Sequence, residues 1–160
     1  MVAIKVLLLI SVANSAPLFA KRYIFKDHAG HPIDNGTRLW DGQFLFGPTK
    51  TIEGLISSAT TTAVAGYVIG LGIYAGMILS SGAMAGDLAS SFVKRRFGFP
   101  PSSKATGLDQ IPESLLPSLL AASILPLTAG DIAVIVGLFL CGEMILSWVL
   151  YRIGVREQPY

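Results

Sequence analysis

The segment GDLASSFVKRR, residues 86–96, decides how this chain folds, because it places an acid inside an apolar stretch that ends in three cations. On a helix with 100° per residue, Ser91 and Lys94 both lie within about 40° of Asp87. An acid inside a bilayer costs several kcal/mol unless it is paired, solvated or bound to a metal. Asp87 is therefore a candidate functional residue, on a face that suits a divalent cation and a polyphosphate. The alternative is an Asp87–Lys94 pair that only orders a helix bundle.

The composition is that of an integral membrane protein. The chain has 160 residues, of which 52% are hydrophobic and 14% are charged, against about 25% charged residues in a typical soluble domain. Its mean hydropathy is +0.60, and its length fits a single membrane domain, 1–160. One cysteine, Cys141, excludes a disulfide framework within the chain.

The cations are grouped, and the grouping predicts orientation in the cell membrane. All Lys and Arg except Lys5 fall within residues 21–50, 94–104 and 152–156, and the positive-inside rule places these groups on the cytoplasmic side. Apolar runs of about twenty residues predict an all-α, multi-pass protein with five transmembrane helices and its N-terminus outside. The predicted spans are 2–20, 54–73, 75–94, 113–129 and 132–151, with polar cytoplasmic loops at 21–51 and 95–112.

Local signals refine the ends of these spans. Cleavage of a signal peptide after Ala16 is disfavoured by Pro17, so we expect the first span to be retained. A tight turn among Gly70, Gly72 and Gly76 separates the second and third spans. Glycines at four-residue spacing predict close approach between helices. Asp131 is expected to be the N-cap of the fifth helix.

The first polar loop contains HPIDNGTRLWDGQFLFGPTKT, residues 31–51, in which acids and cations are separated by glycines. Its candidate binding residues are Asp34, Asp41, Lys50 and Thr51. The glycines let backbone amides approach an anion, and the last two residues begin the second helix, whose N-terminus favours anions. A full P-loop is absent. The alternative is a solvated polar loop without a ligand.

The second loop brings further candidates. Asp109, together with Asp87, would give the one or two carboxylates that Mg²⁺ commonly uses beside phosphate oxygens, although Asp109 is equally suited to cap the fourth helix. Asn14, near the cytoplasmic end of the first span, is expected to bond either a ligand or a neighbouring helix. Glu143, inside the fifth span, needs a partner or water, and the sequence gives it no specific role.

The paired segments HPIDNG…DG…GPTKT and GDLASSFVKRR…LDQ closely resemble those of archaeal CDP-archaeol synthases, which are relatives of the phosphatidate cytidylyltransferases. The resemblance runs through Asn14, both loops and the second and third spans. It implies Mg²⁺-dependent transfer of a cytidylyl group from CTP to an isoprenoid-ether glycerol phosphate, unsaturated archaetidic acid. The products would be a CDP-activated lipid and pyrophosphate, made at an active site that faces the cytoplasm.

The resemblance also assigns roles to individual residues. Asp87 and Asp109 are expected to be metal ligands, and Asp87, Lys94 and Arg95 to be catalytic. The residues expected to bind CTP or its phosphates are Asn14, Asp34, Asp41, Lys50, Thr51, Ser91, Lys94 and Arg95. This chain departs from the family pattern at His31, where Arg is frequent, and at Pro112, where many members have an acid that Glu113 would replace.

Two other classes of protein stay open from the sequence. A CDP-alcohol phosphotransferase acts on CDP-lipid, but its D-G-x-x-A-R…G…D-x-x-x-D signature is missing, since Asp41 and Gly42 are followed by Gln43 and Phe44. A small transporter or packing subunit is the non-enzymatic alternative. Transporters tend to have internal repeats and midplane sites, whereas the charges here gather at one membrane face.

Overall fold

The computed structural model describes residues 1–25 and 30–152, and every regular element within them is helical. The predicted all-α architecture with five helices is confirmed. The helices are α1 (Val2–Phe19, continued by a π-helical segment, Ala20–Ile24), α2 (Ile52–Val68), α3 (Ile73–Arg96), α4 (Gln110–Ala121) and α5 (Ala129–Arg152). The predicted domain and loop limits extend over residues 26–29 and 153–160, which lie outside the described residues.

Helix α1 lies at the centre of the apolar core. Its side chains Val6, Leu9 and Ile10 are fully buried and pack with Leu79 of α3. Ile135 and Phe139 join this cluster from the first half of α5. Burying one aliphatic side chain of this size stabilises the fold by about 1.5–3 kcal/mol, compared with leaving that side chain exposed to water. The core therefore lies towards the N-terminal half of α1 and leaves the other end of the bundle to polar groups.

A buried polar contact joins α1, α2 and α3 between the apolar core and the polar end of the bundle. The Ser58 hydroxyl of α2 donates to the Ala13 carbonyl oxygen of α1 at 2.8 Å. Ser58 Oγ also lies 2.9 Å from Ser80 Oγ of α3. Because Ser58 has one hydroxyl proton and directs it at Ala13, Ser80 is the donor in the second bond. The contact fixes α1, α2 and α3 along their axes relative to one another.

The turn between α2 and α3 is made by two of the three predicted glycines. Gly70 and Gly72 have φ angles of 75° and 89°, a region that a side chain disfavours, and α3 begins at Ile73. The prediction was wrong for Gly76. It lies inside α3, where its bare backbone packs directly against Thr62 and Ala63 of α2.

The glycines of α3 also allow α4 to approach closely, as the four-residue spacing predicted. Gly82 faces Pro117, and a Cβ on Gly82 would lie 2.5 Å from the Pro117 Cα atom. Gly86 faces the backbone of Pro112 and Glu113 just as closely. Since Gly86 precedes Asp87, this contact sets the distance between Asp87 and the first turn of α4.

The lengths of the helices support membrane crossing for two of the five predicted spans. Within the described residues, Val2–Ile24 and Ala129–Leu146 are long and apolar enough to cross a membrane. Helix α4 has 12 residues and is about 18 Å long, against a hydrocarbon core of about 30 Å. It begins at Gln110 and ends at Ala121, whereas the predicted span runs from 113 to 129.

The start of α5 corrects a further prediction. Thr128 is the capping residue, because its Oγ1 accepts the Asp131 amide at 3.1 Å. Asp131 Oδ2 in turn accepts the Thr128 amide at 2.9 Å. This reciprocal pair is a capping box. Asp131 therefore lies in the first turn of α5 and is not its N-cap.

The contact between α3 and α4 yields a first prediction. Gly86→Ala should lower the unfolding free energy by about 2 kcal/mol, because the new methyl group meets backbone atoms that cannot rotate away. Gly137→Ala, where no atom lies within 4 Å of the new Cβ, is the matched control and should be neutral or slightly stabilising. Thermal unfolding in detergent measures both variants. Equal melting temperatures would contradict the packing described for Gly86.

Candidate functional site

A cavity of about 480 Å³ opens where α1 ends and where α2 and α4 begin. Both signs of charge line it. Its cations are Lys21, Lys50, Lys94 and Lys104, and its acids are Glu53, Asp87, Asp109, Glu113 and Glu143. Polar walls of mixed charge suit a ligand that is itself a salt, such as a polyphosphate with a divalent cation. Of the residues predicted for the site, the cavity collects Asn14, Lys50, Thr51, Asp87, Lys94 and Asp109.

The Lys50–Asp87 ion pair spans the cavity. Lys50 Nζ lies 2.5 Å from Asp87 Oδ1 and 2.6 Å from Oδ2, and about a fifth of each side chain is exposed. Lys50 immediately precedes α2, and the first loop folds back so that the Ile33 amide donates to the Lys50 carbonyl oxygen at 2.8 Å. The alternative of an Asp87–Lys94 pair was wrong, because the partner of Asp87 comes from the first loop.

The Lys94–Asp109 ion pair is the second charged contact. Lys94 Nζ lies 2.7 Å from Asp109 Oδ1 and donates to the Ser103 carbonyl oxygen at 2.9 Å. Asp109 Oδ2 accepts the Ala105 amide at 2.9 Å. Oδ1 is buried and, although close to Lys94, has no hydrogen bond of good geometry. Asp109 stands at the N-cap position of α4, as the capping alternative expected, but its side chain accepts no amide of that helix.

Glu113 is the third carboxyl group of this cluster. It lies within hydrogen-bonding reach of Asp87 and interacts electrostatically with Lys50 and Asp109. The resemblance named Glu113 only as a replacement for an acid at the position of Pro112. Its four-residue spacing from Asp109 is a second signal, since it brings the two residues to one side at the start of α4. Among the described residues, no three acid, histidine or cysteine side chains form a preformed metal centre. Two of the three carboxyl groups in the cluster, those of Asp87 and Asp109, form ion pairs with lysines.

Asn14 and Thr51 line the cavity, and each also makes a hydrogen bond to the backbone of a nearby residue. Asn14 Nδ2 donates to the Ile10 carbonyl oxygen of its own helix at 3.1 Å, a contact that neither predicted alternative included. Thr51 is the N-cap of α2, where its Oγ1 accepts the Gly54 amide at 3.2 Å. The first turn of α2 therefore presents its amide end to the cavity, as expected for an anion site.

Asp34 does not line the cavity, although the sequence proposed it for nucleotide binding. Its carboxylate accepts the amides of Gly36 at 3.0 Å, Phe46 at 2.9 Å and Gly47 at 3.0 Å, and it is 6% exposed. Burial raises the pKa of Asp34, but the three amide hydrogen bonds outweigh it and leave the pKa below its ordinary value of 3.8. Asp34 therefore holds the first loop in shape.

Three further predicted residues also lie outside the cavity lining. Asp41 accepts the Gln43 amide at 3.0 Å and pairs with Arg96 at 3.0 Å, which joins the first loop to the end of α3. Arg95 is 2% exposed and donates to the Pro100 carbonyl oxygen at 2.8 Å, at the start of the second loop. Ser91 is buried in the same helix.

The cavity also includes acids to which the sequence gave no role. Glu53, in the first turn of α2, accepts the His31 amide at 2.9 Å and lies 2.6 Å from His31 Nδ1. It stabilises the first loop at the mouth of the cavity. Glu143 reaches the cavity from α5, so the charge in the fifth helix faces a polar space and not lipid, as the cost of burial requires.

Comparison with known proteins identifies the family. A family model described as CarS-like, CDP-archaeol synthase, matches residues 67–160. A CDP-archaeol synthase of Pyrobaculum aerophilum is 31% identical over 157 residues, which cover 93% of this chain and 92% of that protein. The chain belongs to the CDP-archaeol synthase family. It is therefore an enzyme of lipid biosynthesis, and the transporter and packing-subunit alternatives are wrong.

Further CDP-archaeol synthases and a solved structure agree. The enzyme of Saccharolobus islandicus is 35% identical over 93% of this chain and 89% of its own length. That of Archaeoglobus fulgidus is 35% identical over 82% of this chain and 85% of its own length. A solved intramembrane enzyme for archaeal membrane lipid biosynthesis superposes with a TM-score of 0.74 at 28% identity, covering 90% of this chain and 91% of that one.

The buried Asp34 yields a second prediction, on pH. Its pKa is lowered on folding, so its contribution to stability is complete above about pH 3.8 and is lost as the pH falls through the lower folded value. Asp34→Asn should unfold more readily than the wild type at neutral pH, and the difference should shrink below pH 3.8. Unfolding midpoints from pH 7 to pH 2.5 measure this. Asp41→Asn, at an exposed acid of the same loop, should cost less stability at pH 7.

Proposed function

We propose that the chain transfers a cytidylyl group from CTP to an isoprenoid-ether glycerol phosphate, giving CDP-archaeol and pyrophosphate. The observation that carries the proposal is the cavity in which Asp87 and Asp109 face the amide end of α2 and four lysines. The class of lipid is inferred from the family to which the chain belongs. The cavity supplies the means to hold a triphosphate beside a carboxylate cluster.

The cluster fits a bound Mg²⁺. Both oxygens of Asp87 already face a cation, the Lys50 ammonium group. Asp109 Oδ1 is a buried acceptor without a directed hydrogen bond. Asp87 and Asp109 would hold the metal, with Glu113 beside them, and Mg²⁺ commonly uses one or two carboxylates together with phosphate oxygens and water. The bound ion would neutralise charge on the triphosphate.

The residues of the chain then have to position the substrates and neutralise charge. The attacking group is the lipid phosphate oxygen, which is ionised at neutral pH, so no general base is required. It forms a bond to the α-phosphorus of CTP while the bond to the β-phosphate oxygen breaks and pyrophosphate leaves. Lys94, which lines the cavity, would stabilise the leaving charge. Arg95, behind the cavity wall, acts at longer range and interacts electrostatically with Asp109.

The proposed arrangement in the membrane places the cavity at the cytoplasmic interface. Five crossings put the N-terminus outside, with α4 and the segment after it completing the fourth. The cations of the loops and of the end of α3 then lie inside, in agreement with the positive-inside rule. CTP enters the cavity from water, and the isoprenoid chains of the acceptor stay in lipid.

A third prediction tests this orientation. In a Cys141→Ser background, Thr106→Cys lies in the second loop and Ser123→Cys after α4, and both positions are exposed. A membrane-impermeant maleimide applied to intact cells should label Ser123→Cys and spare Thr106→Cys until the cells are lysed. Labelling of Thr106→Cys in intact cells would contradict a cytoplasmic cavity.

A fourth prediction tests the chemistry. Asp87→Asn should reduce incorporation of labelled CTP into lipid by at least about 100-fold, because the amide neither carries charge nor replaces a metal ligand. Asp131→Asn, at the capping box far along the chain from the cavity, should keep activity within a few-fold of the wild type. The assay uses detergent-solubilised chain, acceptor lipid and Mg²⁺. Near-normal transfer by Asp87→Asn, or exchange from labelled CDP-lipid in place of CTP incorporation, would refute the proposal.

A further inference from the structure

Lys50 is the counter-ion of the Asp87 carboxylate. Its ammonium group contacts both carboxylate oxygens at 2.5 Å and 2.6 Å, and it interacts with Glu113 on the opposite helix. One cation from the first loop thus pairs with an acid of α3 and lies within electrostatic range of an acid of α4. Lys94 cannot replace it, because Lys94 is already bonded to Asp109 and Ser103.

We infer that Lys50 is an exchangeable counter-ion of the Asp87–Glu113 acid pair. Its ammonium group offsets the charge of Asp87 while no divalent cation is bound, and it turns towards the triphosphate when the carboxylates bind one. This inference rests on the function proposed above. It adds that the binding of the metal and the binding of the nucleotide are coupled through Lys50.

The geometry makes the two states exclusive. An ammonium group in contact with both oxygens of one carboxylate occupies the space beside them, and a second cation brought to the same oxygens would be repelled by it. Lysine is suited to the exchange because its ammonium is a compact charge on a flexible stem. The Lys50 side chain lines the cavity and is 22% exposed, so it has open space into which it can turn.

The position of Lys50 in the sequence determines where the released ammonium goes. Lys50 is followed by Thr51, the N-cap of α2, so its ammonium stays near the amide end of that helix. An anion bound there gives Lys50 a new partner. Divalent cation and triphosphate should therefore bind cooperatively, because the triphosphate provides a new anionic partner for the Lys50 ammonium group that the metal displaces from Asp87.

The first experiment measures binding, not turnover, on the full purified chain in detergent. Mn²⁺ serves as a paramagnetic divalent probe with a preference for oxygen ligands. Without nucleotide, Lys50→Met should bind Mn²⁺ about tenfold more tightly than the wild type, and CTP should enhance its Mn²⁺ affinity less than it does in the wild type. Lys5→Met is the matched control, because Lys5 donates to the Ile69 carbonyl oxygen at the other end of the bundle.

The second experiment uses the unmodified wild type, so it does not depend on how a variant folds. Brief acetylation with acetic anhydride, followed by mass spectrometry, reports how accessible each lysine amine is. Lys50 should be protected without a divalent ion, acetylated several-fold faster with Mg²⁺, and protected again with Mg²⁺ and CTP together. Acetylation of Lys5 should not change.

The outcomes separate this inference from the proposed function. If the wild type binds no Mn²⁺, or if Asp87→Asn binds it as the wild type does, the metal assignment fails and the exchange fails with it. If Asp87 is required for Mn²⁺ binding but Lys50→Met has unchanged or weaker affinity and Mg²⁺ leaves Lys50 acetylation unaltered, the exchange alone is overturned. The proposed transfer reaction then stands.

Discussion

The need to compensate an acid inside an apolar bundle determines most of this structure. Asp87 lies midway along α3, and its compensation comes from Lys50, 37 residues earlier in the chain. To deliver that ammonium group, the first loop must fold back onto the bundle, and the amides held by Asp34 keep it in that shape. The pair therefore couples the shape of a polar loop to the position of a charge inside the helix bundle.

Close helix contacts build the other side of the same cluster. Because Gly82 and Gly86 carry no side chain, α4 can pack against the backbone of α3, and this brings Glu113 beside Asp87. The Lys94–Asp109 pair adds a second link between α3 and the start of α4. Small residues at helix contacts and charged groups at the cavity thus depend on each other, since a wider spacing would separate the carboxyl groups.

The sequence predicted the all-helical fold and six of the cavity residues, but not which charges pair. Helical periodicity relates residues of one helix, so it placed Lys94 beside Asp87, whereas the actual partner comes from a loop whose path no periodicity encodes. Asp34 and Asp41 were selected as acids near glycines, and only the structure shows that backbone amides and Arg96 occupy them. The predicted fourth span extends past the end of α4 because the apolar run continues beyond Ala121 without a helical continuation.

The hydrogen bonds among Ala13, Ser58 and Ser80 have a consequence for the response to different lipids. They lie in an apolar region where no water competes for the hydroxyl groups, so sliding one of the three helices past another would leave polar groups unpaired. A bilayer of different hydrophobic thickness is then accommodated by tilting the bundle as one body, at a modest cost per ångström of mismatch. Asn14, the residue after Ala13, and Asp87, about two turns beyond Ser80, keep their relative depth when the surrounding lipid changes.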